Sequence, residues 1–170
     1  MNLPWGDAAT NKFVTNVGLV TSNGPHGNNV MAAEWTHHIS YSPGLISIHI
    51  RSKDATHDNI MKTKEFGISL CSEEQNILSS VSGKNTGKEI DKIAVLKELG
   101  VEFYKAKKID VLMVKGSAAN IECKIVKTIE MGDHTMFVGE VVDYSASDRK
   151  PLIYTDGKYF KLGERIQKPV

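Results

Sequence analysis

The chain is short of the residues that would commit it to a specialised class. Only two cysteines, Cys71 and Cys123, occur among 170 residues. That is too few for a disulfide framework, and each lies in an apolar-alternating stretch where a buried thiol is the ordinary role. Basic and acidic side chains nearly balance, 21 against 20, so no net charge calls for nucleic acid or an acidic membrane surface as partner. Long apolar runs are missing too. A stretch such as 136–138 falls far short of the ~20 residues that cross a bilayer, and the opening MNLPWGDAAT lacks the basic-then-apolar order of a signal peptide. These absences predict a cytoplasmic protein without a membrane or nucleic-acid partner.

Signatures of common chemistries are also lacking. Neither GxGxxG nor GxxxxGK(S/T) occurs, so the dinucleotide fingerprint and the P-loop are excluded. HExxH and CxxC spacings are absent, as is the GxSxG elbow of serine hydrolases.

What remains is a globular chain of one-domain size, with 41% hydrophobic and 24% charged residues. Alternating patterns rich in Val, Ile and Thr predict strands at 13–22, 29–35, 45–51, 66–71, 119–128 and 135–142. The NGPHGN stretch between the first two reads as a hairpin turn. Helical spacing is confined to 56–64, 73–81 and 89–99, the last presenting Ile90, Ile93, Val95, Leu96 and Leu99 on one face before Gly100. Strands with brief helices, and no regular strand–helix alternation, predict a mainly β fold in one domain over 1–170, an antiparallel barrel of Greek-key type.

Several segments carry chemistry-bearing residues. In IRSKDATHDNI (50–60) a strand runs out into a helix start. Ser52 and Thr56 offer hydroxyls there, Arg51 and Lys53 offer charge, and the helix N-terminus offers free N–H groups, a set that suits phosphate. The alternative is a simple helix cap beside a solvated strand end. In SGKNTGKEIDK (82–92), Gly83 and Gly87 frame a turn bearing Lys84, Lys88 and Lys92, either a second arm on an anion or an ordinary surface loop. His37 and His38 are adjacent, so on a regular strand they point to opposite faces and cannot share a metal ion. No metal site is expected. His134, just after Gly132 and Asp133 and at the mouth of an apolar strand, is the histidine best placed to reach a ligand.

In this order, these pieces resemble the flavin reductase-like family of FMN-binding split β-barrels, which includes flavoredoxins and archaeal-type ferric reductases. The resemblance is carried by NNVMAAEWTHHISYSPGLISIHI, by the spacing of SKDATHDNI, by SGKNTGKEIDK, by GDHTMFVGEVVD and by PLIYTDGKYFKLGE. It implies FMN as cofactor, NAD(P)H as reductant, a homodimer, and a small-molecule electron acceptor or a partner redox protein. Residue by residue, it implies that Asn29 and the backbone of Met31, Ala32 and Ala33 border the flavin ring, with Trp35 and Thr36 near the ribityl chain. Ser52, Lys53, Thr56 and Asn59 would hold the phosphate. Ser82, Gly83 and Lys92 would close over the cofactor, Lys92 serving as a cation that stabilises the reduced ring. His134, the implied catalytic residue, and Tyr159 or Phe160 would approach from another strand or a second subunit. Where some relatives have a cysteine near the small-residue strand, this chain has Met31, Ala32 and Ala33, which argues against thiol chemistry. A flavoredoxin-like electron carrier and a non-redox barrel module are the competing expectations.

Overall fold

The computed structural model describes residues 1–168. In chain order the strands and helices are β1 (Thr15–Asn16), β2 (Gly18–Ser22), β3 (Asn29–Ala33), β4 (Thr36–Tyr41), β5 (Gly44–Arg51), α1 (Ala55–Thr63), β6 (Glu65–Leu70), α2 (Asn76–Lys84), α3 (Lys92–Glu98), β7 (Phe103–Lys105), β8 (Leu112–Val114), β9 (Ala119–Met131), β10 (His134–Ala146), β11 (Ile153–Thr155) and β12 (Lys158–Phe160). The chain is mainly β with three short helices, as its patterning predicts. No helix among the described residues is long and apolar enough to cross a membrane.

Seven strands form one antiparallel sheet in the order β3-β2-β6-β9-β10-β5-β4. Its two outermost strands, β3 and β4, are consecutive in sequence and joined only by Glu34 and Trp35. Such a link is too short to cross a flat seven-stranded sheet, so the sheet rolls round until its ends meet. The seam is tight. Asn16 Nδ2 donates to the Thr36 carbonyl at 3.0 Å, and a Cβ on Gly18 would lie 2.6 Å from Thr36 Oγ1.

Alternation along the strands fills the roll. Val20, Ile46, Ile48, Ile50, Phe66, Ile68 and Phe137 form its core together with Ile60 of α1. A second core, with Leu19, Val30, Cys71, Leu78, Ile93 and Leu96, lies under α2 and α3. All three helices pack against β3.

Helix ends follow local chemistry. Asp91 accepts a hydrogen bond from the Ala94 N–H at 3.0 Å and so caps α3, while α1 stops where Lys64 turns left-handed at φ 61°.

Several elements differ from the sequence expectation. The 13–22 segment breaks at Val17, and β1 pairs with β11 in a separate three-stranded sheet. Strand β4 has no counterpart in the predicted set, because four of its six residues are exposed and its burial does not alternate. Helix α2 starts at Asn76, after a turn in which the Gln75 N–H bonds to the Ser72 carbonyl. Of the apolar face expected on α3 only Ile93 and Leu96 are buried, and Ile90, Val95 and Leu99 are exposed.

Two outcomes follow from this packing. A Cβ at Gly139 would lie 2.7 Å from both Cys123 Cβ and the Phe66 ring, so Gly139→Ala should destabilise the fold by about 1–3 kcal/mol through overpacking. An unchanged denaturation midpoint would contradict that packing. Burial pushes the thiols of Cys71 and Cys123 up to about 12, with Glu122 adding to the effect at Cys123. Neither thiol should therefore react with a disulfide reagent such as DTNB until the protein is denatured, and prompt labelling of the native protein would refute this.

Candidate functional site

The site is built around β3. Leu19, Val30 and Ala32 face the core under the helices, whereas Val20, Met31 and Ala33 face the interior of the roll. With alanine at 32 and 33, β3 carries little side-chain bulk, and α2 comes in close: a Cβ on Gly83 would sit 3.4 Å from Ala32 Cβ. Three clefts meet along this strand. One of about 370 Å³ lies towards α1 and α3. A second of about 550 Å³ runs over Met31, Ala32 and Ala33 to Trp35 and His134. A third of about 480 Å³ lies between Ala32, Ala33 and Tyr159. Met31 and Arg51 line both the first and the second; Gly83 and Lys84 line both the first and the third.

The first cleft is basic. Arg51, Lys53, Lys84, Lys88 and Lys92 line it, against Asp54 and Glu89. It receives the N-terminus of the nine-residue helix α1, whose leading residue Asp54 makes no side-chain cap. The Asp54 carbonyl takes the His57 and Asp58 N–H groups, which leaves those of Ala55 and Thr56 to other acceptors. Thr56, 1% exposed, and Asn29, 4% exposed, are locked together by Asn29 Nδ2 donating to Thr56 Oγ1 at 2.9 Å. Ser82 Oγ is buried with no hydrogen-bond partner. Lys92 Nζ, also buried, donates to the Ser82 carbonyl at 3.1 Å. Burial pulls the Lys92 ammonium down to about 8, partly opposed by Asp54. A desolvated cation and a buried, unsatisfied hydroxyl in two residues that line one basic cleft are features compatible with an anion site.

The loop over this cleft is tied down by a three-residue cluster that sequence reading missed. Asp58 Oδ2 receives Lys88 Nζ at 2.8 Å and His26 Nε2 at 2.9 Å. The hydrogen bond from Lys88, then that from His26, holds the Asp58 carboxyl below its ordinary range. His26 lies inside the hairpin turn and its partners are 32 and 62 positions away, so no local signal marks the cluster.

The second cleft is aromatic. Trp35 and His134 rings lie 4.7 Å apart, and His49 meets Trp35 edge-on at 6.1 Å. His134 Nδ1 is 2.8 Å from Asp133 Oδ1, and that hydrogen bond lowers the Asp133 carboxyl. An ionised carboxylate only accepts, so Nδ1 carries the proton and Nε2 is left free. Glu34 lines the second and third clefts, and burial raises its carboxyl while a hydrogen bond from Trp5 opposes the rise. Burial, then the nearby His134 and His37, lowers His49. In the third cleft Tyr159 donates its hydroxyl to Ser79 Oγ at 3.0 Å.

The structure therefore brings together Asn29, Met31, Lys53, Thr56, Ser82, Gly83 and Lys92 in the first cleft, and Met31, Ala32, Ala33, Trp35 and His134 in the second, with Tyr159 in the third. Four expected residues stand apart. Thr36 is buried at the seam, bonded to the Ala33 carbonyl. Asn59 is spent on the hairpin, donating to Ser22 Oγ and the Gly27 carbonyl and accepting from the His26 N–H. Ser52 is an exposed turn residue, and Phe160, 45% exposed, lines none of these clefts. Lys92, expected to close over the cofactor, lines the basic cleft and not the aromatic one. His37 and His38 are both exposed and outside the clefts. Trp5, Glu34 and Tyr154, none of them expected, line the clefts.

Comparison with known proteins is in keeping with this arrangement. The chain is 26% identical over 158 residues to the FMN reductase (NADH) SmoA of Agrobacterium fabrum, covering 92% of this chain and 84% of that protein. It is 29% identical over 128 residues to a ferric-chelate reductase (NAD(P)H) of Archaeoglobus fulgidus, covering 74% and 73%. The flavoredoxin of Desulfovibrio vulgaris (Miyazaki F) superposes with a TM-score of 0.82 at 25% identity over 99% of this chain and 97% of that one. The flavin reductase like domain matches residues 10–163, nearly the whole chain, and the protein belongs to that family.

Proposed function

We propose that the protein is an NAD(P)H-dependent flavin or ferric reductase that holds FMN along β3 of a split β-barrel and works as a homodimer. The observation that carries this reading is the junction of an anion cleft with a wide cleft floored by alanines. Ser82 Oγ, Lys92 Nζ and the α1 N-terminus fit a phosphate, and Ala32 and Ala33 let a large flat ring lie close to the backbone. When bound, FMN supplies the chemistry of accepting a hydride from a reduced nicotinamide and handing electrons on one or two at a time.

This chain's residues do the rest. Lys53 and Thr56 orient the phosphate, and Asn29 fixes Thr56. Trp35 and His134 form the wall beside which the nicotinamide is placed, with Asp133 setting the His134 tautomer so that Nε2 presents an acceptor. Leu3, Trp5 and Phe13 of the N-terminal segment line the same cleft while staying exposed, and offer it an apolar flank. Exposed Ile39, Tyr41, Val126 and Tyr144 on β4, β9 and β10 suit cover by a second copy. The acceptor is a small molecule, free flavin or a ferric chelate, or a partner redox protein.

A second reading, an FMN electron carrier reduced by a partner protein, is favoured by the similarity to flavoredoxin. Anaerobic mixing with NADH or NADPH separates the two. Rapid bleaching of bound flavin, slowed at least about tenfold in His134→Ala with FMN affinity kept, supports the reductase, whereas no bleaching in the parent protein supports the carrier. If FMN neither quenches the protein's fluorescence nor raises its melting temperature, both readings fail and a non-redox module is left.

The phosphate end has its own test. Lys53→Ala combined with Thr56→Ala should weaken FMN by roughly 10- to 100-fold and leave riboflavin nearly unchanged, since charge-assisted hydrogen bonds to phosphate are lost. Equal weakening of both ligands would show that the phosphate lies elsewhere.

A further inference from the structure

We propose that Asp58 is a positioning residue for ligand exchange: through Lys88 it latches segment 85–91 across the basic cleft, and the strength of that latch sets how fast a bound flavin enters and leaves. The proposal rests on the flavin reading above and adds a determinant of whether the flavin stays through turnover or passes through.

Segment 85–91, between α2 and α3, is a strap with space on both sides. Asn85, Thr86, Gly87, Lys88 and Glu89 line the basic cleft of about 370 Å³. Gly87, Lys88 and Glu89 also line a separate cleft of about 480 Å³, together with His26, Gly27 and Asn28 of the hairpin. No residue of the strap is buried. Its own hydrogen bonds are local. The Glu89 and Ile90 N–H groups reach the Thr86 carbonyl, the Lys88 N–H reaches Thr86 Oγ1, Asn85 Nδ2 reaches the Val81 carbonyl, and Asp91 caps α3. A segment with so little burial and only local bonds belongs to the least stable part of a fold.

Among the described residues, one polar side-chain contact ties the strap to another part of the chain: Lys88 Nζ to Asp58 Oδ2 at 2.8 Å. The post it is tied to is firm. His26 Nε2 donates to the same carboxylate oxygen at 2.9 Å, and the next residue, Asn59, is fully buried and bonded to Ser22 Oγ, the Gly27 carbonyl and the His26 N–H. The closed strap also fits tightly, since there is no room for a Cβ on Gly87 beside Asn29 Oδ1. Asn29 is the amide that holds Thr56.

Magnitude decides what such a tie can do. The Lys88 and Asp58 side chains are 37% and 36% exposed, and ion pairs of that exposure are weak. This one is therefore able to bias the strap closed without locking it. A gate acts on passage in both directions. Loosening it raises entry and exit rates together, and the dissociation constant changes far less than either rate. Loss of a direct phosphate contact behaves differently: it speeds exit and weakens FMN relative to riboflavin.

The test is stopped-flow fluorescence of FMN binding to the flavin-free protein and of its displacement, in the parent and in Asp58→Asn, with riboflavin affinity measured alongside. The proposal expects both rates to rise about three- to tenfold in Asp58→Asn, with the dissociation constant kept within about twofold and the ratio of FMN to riboflavin affinity unchanged. Lys88→Met cuts the latch from the other side and should raise both rates similarly, and the double variant should go no further than either single one. Asp58→Glu, which keeps the charge, should restore most of the slow exchange. Unchanged rates in Asp58→Asn, even with a lower melting temperature, overturn the proposal, as do additive effects in the double variant or a loss of FMN affinity in Asp58→Asn that spares riboflavin. Each of these leaves the flavin reading intact. Failure of the parent protein to bind either flavin overturns both.

Discussion

The constraint on which the rest depends is the two-residue passage from β3 to β4. Because these strands lie at opposite ends of the sheet order, so short a link can be made only if the sheet rolls up. The seam must then be thin, which is why Gly18 faces Thr36 with no room for a Cβ. The same geometry leaves β3 with one ladder partner, β2, and an unpaired backbone edge. A free edge invites pairing with whatever comes near. Here the three helices pack against β3, the alanines keep its surface low, and the remaining edge opens into the clefts. Fold closure and the candidate site are two consequences of one short connection.

The second organising feature is the division of the groove into a charged end and an aromatic end. The charged end is assembled from three separate pieces of chain: the β5–α1 turn, α2 with the loop after it, and the start of α3. These pieces are held in register by buried or paired polar groups, Asn29 to Thr56 and Asp58 to Lys88 and His26. The aromatic end rests on strand ends, with Trp35 leaving β3 and His134 opening β10 opposite Arg51 of β5. A ligand with an anionic tail and a flat head matches that division, and a purely apolar or purely anionic one does not.

How much of this was legible in the sequence depended on range. The hairpin at 22–29 was readable because glycine and proline concentrate in NGPHGN, and the structure pairs Ser22 with Asn29 across it. Helix α1 was placed within a residue at each end, since its start and stop are local events. Strand β4 was not readable. It is an edge strand whose His37, His38, Ile39 and Tyr41 are all exposed, so the alternation that betrays a half-buried strand is absent. Asn59 stands apart from the clefts for a related reason. Position 59 lies near the expected phosphate site in sequence, but on α1 it turns towards the hairpin, where a buried amide closes three hydrogen bonds. Helical direction decided its role, and spacing along the chain did not reveal it.

Lys92 shows why a site of this kind sets function against stability. A lysine at 3% exposure, with its proton held down to about 8 by burial, is unfavourable for an empty protein, and a methionine there would satisfy the fold better. Strong perturbation by burial, beside a serine hydroxyl with no partner, makes it a candidate functional group. The exposed cations around it give the cleft a positive field that favours an approaching anion. The buried one adds to theirs a charge that solvent does not screen.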